Sequence, residues 1–377
     1  MEKISVNKVN DVFIGIKCEG GVRQELADYF TFYVPGYKFM PAFKNKMWDG
    51  KIRLYDLRTH MLYAGLFGYL QKFAEERGYE VEVNFSDPIT KINEEDVKTY
   101  VEKHLRLPFS PYDYQYQAVT HALRNKRCLL LSPTASGKSL IIYLLIRHYM
   151  NIVKDGRLLL IVPTTSLVEQ MHSDFLQYSQ VDDSFGEQLM HRIYSGKEKD
   201  TMAPIVITTW QSIYKLPKQW FADFRMVIGD EAHTFQAKSL TSIMEKLTDC
   251  PYKVGTTGTL DGTLTHRLVL EGLFGPVHQV TTTKALMDDD KLAKLNIDVL
   301  VLKYSDEECK LLKDKAYSEE IDFIDSDNED AEEKGYNFDD VMDYYDERKE
   351  HYVVGILDKE DNKKKSKSSD EIKDIFK

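Results

Sequence analysis

One rhythm in the chain, beginning near residue 125, narrows the possible folds more than any other feature. Five short runs, "RCLLLS" (127–132), "RLLLIV" (157–162), "PIVITT" (204–209), "RMVIG" (225–229) and "PYKVGTT" (251–257), alternate with helix-length segments. Each run is apolar along most of its length instead of alternating apolar with polar, as strands are when both of their faces are buried. Strands of that kind, each followed by a helix, predict a doubly wound parallel sheet in an α/β domain. Hydrophobic residues make up 42% of the 377 positions, enough for this core and a second one.

Upstream of the rhythm the pattern is mixed. Residues 12–16 and 79–83 read as short strands, and 22–29 and 66–77 as helices, which predicts a small α+β domain over 1–100. The polar, proline-containing stretch 85–111 holds one expected helix and the boundary, so the α/β domain is assigned to 101–303. Residues 304–377 form an acidic tail expected to be disordered, with a possible helix near 341–350. Charge supports that partition. The tail has 25 acidic and 13 basic residues, net −12, whereas the whole chain carries −11, leaving the body near neutrality. The four cysteines, Cys18, Cys128, Cys250 and Cys309, lie far apart without a C-x-x-C pair, as in a reduced cytoplasmic protein. No apolar run approaches membrane length and the first residues have no apolar leader core.

Chemistry is concentrated at the ends of the apolar runs. "SPTASGKS" (132–139) sits between a strand-like and a helix-like segment, the context a phosphate-binding loop requires. Its first glycine position is Ser132, and Ala135 fills another place where glycine is common. The backbone N–H groups of Thr134, Ala135, Ser136, Gly137 and Lys138 would wrap phosphates at the start of a helix. Lys138 would reach the β- and γ-phosphates of ATP, and Ser139 would offer a hydroxyl to Mg²⁺. About ninety residues on, "MVIGDEAH" (226–233) puts two acids at a strand end, where ligands of open α/β sheets gather. Asp230 is assigned to Mg²⁺ through water, and Glu231 to orienting or deprotonating an attacking water.

A second chemistry lies near the N-terminus. Between residues 36 and 60, Lys38, Lys44, Lys46, Lys51, Arg53 and Arg58 outnumber two acids, with Tyr37, Phe39, Phe43, Trp48 and Tyr55 interleaved. Lys44, Lys46, Lys51 and Arg53 are candidates to neutralise nucleic-acid phosphates, and Trp48 to stack on a base or wedge a junction. The alternative is that the aromatics form a small core, with Trp48 packed over a turn, and that the bases are a solvated face.

"ASGKS" with "DEAH" resembles helicase superfamily 2, and further motifs follow in that family's order. "YQYQAV" (114–119) resembles the segment whose glutamine, here Gln115, reads adenine. "IVPTTSLVEQ" (161–170) and "TTWQSI" (208–213) resemble nucleic-acid-contacting motifs, which implies contacts from Pro163, Thr164, Thr165, Thr209, Trp210 and Gln211. "GTTGTL" (255–260) resembles the motif that couples hydrolysis to movement, implying that role for Thr257, Gly258 and Thr259 together with His233. The stretch "FTFYVPGYKFMPAFKNKMWDGKIRLYD" (30–56) is similar to the N-terminal domain of the UvsW-type helicases of T4-like phages, and the likeness runs to about residue 324. It implies a RecA-like fold, ATP and Mg²⁺, branched or forked DNA as partner, a role in recombination, repair and replication restart, and the host cytoplasm. The family also uses a second RecA-like domain that supplies arginines. No Q-x-x-G-R-x-x-R-like motif is found, so that domain is expected on a separate polypeptide or lost. Two other readings stay open: an ATP- and DNA-binding module that does not unwind, and an RNA helicase.

Overall fold

The computed structural model describes residues 2–86, 91–153, 156–182, 184–234, 237–260, 264–293, 300–302 and 353–355. The chain forms two compact units, Met1–Leu292 and Ala293–Lys377. In the second, Leu300–Leu302 pairs antiparallel with Val353–Gly355. The rest of the acidic tail, including the helix expected near 341–350, lies outside the described residues.

The first unit opens with strands β1 (Lys3–Lys8) and β2 (Phe13–Lys17), joined by a turn in which Asn10 Oδ1 accepts from the backbone N–H groups of Val12 and Phe13. Ile4, Val6, Ile14 and Ile16 alternate inward, so one face of this hairpin packs and the other is wet. A small hairpin of β3 (Thr31–Tyr33) and β4 (Lys51–Arg53) follows outside that sheet. With β5 (Tyr55–Asp56), β6 (Met61–Tyr63) and β7 (Glu80–Val83) the sheet order is β5-β6-β2-β1-β7, and the β1–β7 pair is parallel. The helices Gly20–Tyr29 and Phe67–Arg77 cover its apolar face with Val22, Leu26, Leu70 and Phe73. The second helix stops at Gly78, whose φ of 70° suits a left-handed cap.

The large sheet consists of β8 (Arg127–Leu131), β9 (Arg157–Val162), β10 (Met190–Ile193), β11 (Ile205–Thr209), β12 (Phe224–Gly229), β13 (Tyr252–Thr257) and β14 (Val277–Gln279). Their order is β10-β11-β9-β12-β13-β8-β14, and every neighbouring pair is parallel. This is the doubly wound parallel sheet that the apolar runs predict. The strands missing from the sequence reading are the two edges, "MHRI" and "VHQ", which are short and polar as exposed edges tend to be.

Inside the apolar runs a period of two persists. Leu129, Leu159, Ile161, Val206 and Val227 face one core, and Cys128, Leu130, Leu158, Leu160, Ile207 and Ile228 face the other. The first of these cores is continuous with that of the N-terminal sheet, through Leu62, Leu66, Leu268, Leu273 and Phe274. Two hydrogen bonds reinforce the joint, Asp11 N–H to the Thr248 carbonyl at 2.9 Å and Tyr63 hydroxyl to Glu245 at 2.8 Å. The helix Glu94–Tyr100 and the turn beyond it send Val97, Val101 and Leu105 into the second core. Among the described residues no helix is long and apolar enough to cross a membrane.

The joint is tight enough to test. A Cβ at Gly65 would stand 2.0 Å from the Glu271 carbonyl oxygen and 2.7 Å from that of Gly272, both backbone atoms. Gly65→Ala is therefore expected to lose about 1–3 kcal/mol in urea unfolding. The control Gly68→Ala, where a Cβ meets nothing within 4 Å, should gain roughly 0.5–1 kcal/mol from helix propensity.

Acid should also loosen the fold. Buried His148 stacks on Tyr100 at 4.5 Å, and neither ring nitrogen meets a hydrogen-bond partner among the described residues. Burial pushes its pKa down to about 4, and burial does the same to His121, which stacks on His278 at 3.7 Å. A histidine depressed in the folded state takes up its proton more readily when unfolded, so stability is full above the unfolded value of about 6.5 and falls as pH drops toward 4. Stability measured against pH should fall across that window, and His148→Phe should flatten the fall.

Candidate functional site

In a parallel sheet every strand ends at the same edge, and here that edge collects the candidate side chains. From one end to the other it carries Thr209 at the end of β11, Pro163–Thr165 after β9, Asp230 and Glu231 after β12, Thr257–Thr259 at β13, and the candidate phosphate loop after β8. The loop is pinned from three sides. Ser132 N–H donates to the Thr257 carbonyl at 2.8 Å. Ser136 hydroxyl donates to the Pro133 carbonyl and lies 2.6 Å from the Ser132 hydroxyl, both serines being buried. Gln115 Nε2 and the Tyr114 hydroxyl both donate to the Ser136 carbonyl, at 3.0 and 3.1 Å.

Ser132 thus occupies a glycine position by turning its hydroxyl into the loop. Gly137 does need to be glycine: its φ is 75°, and a Cβ would lie 2.4 Å from Gln115 Nε2. Ala135 also has positive φ, 65°, and is exposed at the tip with Thr134. The other end of the Gln115 amide accepts from the Tyr112 N–H at 2.9 Å, so this buried side chain spans from its own helix start to the loop.

Lys138, the first residue of the helix Lys138–Ile152, turns back to Glu231, Nζ to Oε1 2.6 Å. Both groups are largely shielded. Glu231 has φ 48°, a left-handed conformation unusual for its type, and its carbonyl accepts from the Thr234 N–H and hydroxyl. Asp230 beside it is buried and accepts from the Thr256 hydroxyl at 2.6 Å. Burial raises its carboxyl pKa, an effect the Thr256 bond partly offsets.

The 257–259 segment joins the two acids to the loop. Thr257 hydroxyl donates to the Thr259 carbonyl at 2.7 Å, so its oxygen accepts from His233 Nδ1 at 2.6 Å, which fixes the proton on Nδ1. A Cβ on Gly258 would sit 3.3 Å from Lys138 Nζ and 3.9 Å from the Thr134 nitrogen. Ser139, expected to face a cation, lies 2.8 Å from the Tyr178 hydroxyl.

The nucleic-acid candidates divide. Thr164 and Thr165 are exposed at the start of the helix Thr165–Tyr178, where Thr164 caps the Leu167 N–H. Gln211 is exposed and Trp210 half-buried, whereas Thr209 is buried with its hydroxyl 2.9 Å from that of Ser212. In the N-terminal unit Lys44 and Lys46 are exposed beside Met47, and they line an open groove of about 620 Å³ with Lys38, Phe43 and Trp48. Trp48 is half-buried and donates its indole N–H to the Lys51 carbonyl at 2.9 Å, the turn-packing alternative in part. Arg53 pairs with Asp49, and Lys51 Nζ lies over the Tyr33 ring at 4.8 Å. Of the interleaved aromatics Tyr55 is core, Tyr37 stacks on Tyr33 beneath Gly50, and Phe39 is half exposed.

Some participants carry no motif signal. Tyr112, outside the motifs, stacks on Tyr114 at 5.5 Å under Lys291 Nζ, and both tyrosines line an open recess of about 450 Å³ with Gln117 and Thr281. Tyr178 likewise reaches the site from outside any motif, with its hydroxyl 2.8 Å from that of Ser139.

Residues 4–84 match the family described as DNA helicase UvsW, N-terminal, and residues 108–262 match Type III restriction enzyme, res subunit. The chain is similar to the ATP-dependent DNA helicase uvsW of Enterobacteria phage T4, 36% identical over 320 residues that cover 82% of this chain and 62% of that protein. It is also similar to a DNA 3'-5' translocase XPB2 of Sulfurisphaera tokodaii, 26% identical over 75% of this chain and 56% of that one. The chain therefore spans about six-tenths of these curated relatives. A crystal structure of the UvsW helicase from bacteriophage T4 superposes with TM-score 0.66 at 35% identity, covering 74% of this chain and 99% of that one.

Ala135 offers a test of the loop backbone. Glycine there relieves the left-handed strain but adds freedom to the unfolded chain, two terms of about 1 kcal/mol each. Ala135→Gly should accordingly leave the unfolding free energy within about 1 kcal/mol of wild type. Ala135→Val, β-branched at positive φ, should lower it by more than 1 kcal/mol, on the order of 1–3 kcal/mol, in the same denaturant titration.

Proposed function

The chain belongs to the UvsW-type family of DNA helicases, and from that premise we propose that it couples ATP hydrolysis to movement on branched DNA. The observation that carries the reading is the Lys138–Glu231 contact at the sheet edge, with the phosphate loop on one side and Thr257–Thr259 on the other. A cation and a carboxylate held together and shielded from water form a site ready for a polyanion: the phosphates take Lys138, and Glu231 is released toward water.

The residues divide the work. The loop backbone from Thr134 to Lys138 binds phosphate oxygens, and the helix behind it adds a favourable dipole. Gln115 recognises adenine from the position where its amide now braces the loop. Glu231 orients the attacking water. His233 and Thr257 form a relay through which the nucleotide side is read by 257–259 and onward to DNA. Ser139 and Asp230 are the residues that would hold Mg²⁺, whose chemistry is to neutralise the phosphate oxygens. Their donors are hard oxygens, which fits that ion. Among the described residues no cluster of three His, Cys, Asp or Glu would hold a metal alone, in keeping with an ion that retains waters and phosphate ligands.

DNA is engaged at two places in this reading. Thr164, Thr165 and Gln211 contact the strand at the sheet edge, and Lys44, Lys46 and Lys51 neutralise phosphates on the N-terminal unit, with Trp48 and Met47 near a junction. Support comes from exposure at both places and from the T4 relative's description as an ATP-dependent DNA helicase.

Lys138→Ala should abolish DNA-stimulated ATP turnover, measured as phosphate release with and without a forked DNA. Turnover at the wild-type rate would overturn the site assignment. Stimulation of the wild-type chain by RNA equal to that by forked DNA would overturn the choice of substrate.

A further inference from the structure

One carbonyl of the loop takes two side-chain donors, and the nucleotide reading leaves one of them unused. The Tyr114 hydroxyl and Gln115 Nε2 both donate to the Ser136 carbonyl, at 3.1 and 3.0 Å. A backbone carbonyl has two lone pairs and no proton, so both pairs are filled and the direction of each bond is settled. The Gln115 amide is oriented as well, since its oxygen accepts from the Tyr112 N–H at 2.9 Å. Ser136 is buried, which keeps water from competing for the carbonyl.

A peptide group is planar and trans, so a carbonyl and the N–H of the next residue point to opposite sides of the bond between them. Pinning the Ser136 carbonyl therefore aims the Gly137 N–H. The carbonyl faces the helix Asp113–Asn125, which carries both donors, and the N–H points away from it. That N–H has no acceptor among the described residues, and Gly137 is half-buried with φ 75°. Tyr114 is itself held in place. Its ring stacks on Tyr112 at 5.5 Å, and Lys291 Nζ stands 5.4 Å from its centre.

We propose that Tyr114 is a positioning residue for the phosphate loop. Together with Gln115 it fixes the Ser136–Gly137 peptide plane, and so holds the Gly137 N–H ready for a phosphate oxygen. The inference rests on the reading of 132–139 as a phosphate loop. It separates the two donors: Gln115 also serves adenine in that reading, whereas Tyr114 serves the loop whatever base is bound.

The test is equilibrium binding of inorganic triphosphate and of non-hydrolysable ATP and GTP analogues to the full chain. The amide signal of Gly137 is followed by NMR after isotopic labelling of glycine. Tyr114→Phe keeps the ring and loses only the hydroxyl. It should weaken all three ligands by the same factor, roughly two- to tenfold, the equivalent of one net hydrogen bond. Saturating triphosphate should move the wild-type Gly137 amide proton downfield, as donation to a phosphate oxygen does, and should move it less in Tyr114→Phe. Unchanged triphosphate affinity, a loss confined to the ATP analogue, or a loss with the full wild-type shift at Gly137 would each overturn the proposal. The loop reading has its own control. If Lys138→Ala binds triphosphate as tightly as wild type, that reading fails and the proposal fails with it.

Discussion

Parallel strands cannot be joined by tight turns. Each must be followed by a crossover that returns the chain to the starting edge, so all strands of the large sheet finish on one side. That constraint organises the rest of the molecule. Segments separated by about 120 residues, the loop 132–139 after β8 and Thr257–Thr259 at β13, become neighbours because β8 and β13 pair, Leu131 opposite Thr257. Asp230 follows because Gly229 lies opposite Gly255 in the β12–β13 pair. The N-terminal sheet shares the core on one face of the large sheet.

Within that edge Lys138 and Glu231 pair at 2.6 Å. Two opposite charges this close and this shielded would be poor stabilisers by themselves, since removing them from water costs about as much as their attraction returns. Their presence makes sense as preparation. The left-handed backbone at Glu231 points the same way, because strain of that kind persists where surrounding bonds fix it, here the Thr234 N–H and hydroxyl on the Glu231 carbonyl. His233, tied by Nδ1 to Thr257, shares the turn with Glu231.

Much of this was legible in the sequence because it depends on local rules. Apolar runs with intervening helices announce a parallel sheet, and the strand–loop–helix expected around Gly137-Lys138-Ser139 is found. The edge strands β10 and β14 were not legible, since their ordinary polar sequences become strands by pairing with a neighbour. Tyr178 was hidden for a related reason. A tyrosine at the end of an amphipathic helix looks like packing until another element arrives beside it. The basic stretch shows the opposite limit. Charge counting marked Lys44, Lys46 and Arg53 alike, yet Arg53 is tied to Asp49 while the two lysines are exposed beside Met47.

The strand order also sets a length. From β9 to β8 there are three steps of about 4.8 Å, so Thr164 and Thr165 after one strand and the loop after the other leave the sheet about 14 Å apart. The 14-residue helix Thr165–Tyr178 extends over roughly 20 Å, from the exposed threonines to the hydroxyl of Ser139. It is a stiff rod with a different chemistry at each tip. A rod carries displacement without diluting it, whereas a hydrogen bond weakens within a few tenths of an ångström. A slight push on the threonine tip would therefore be registered at the serine hydroxyl as a bond made or broken.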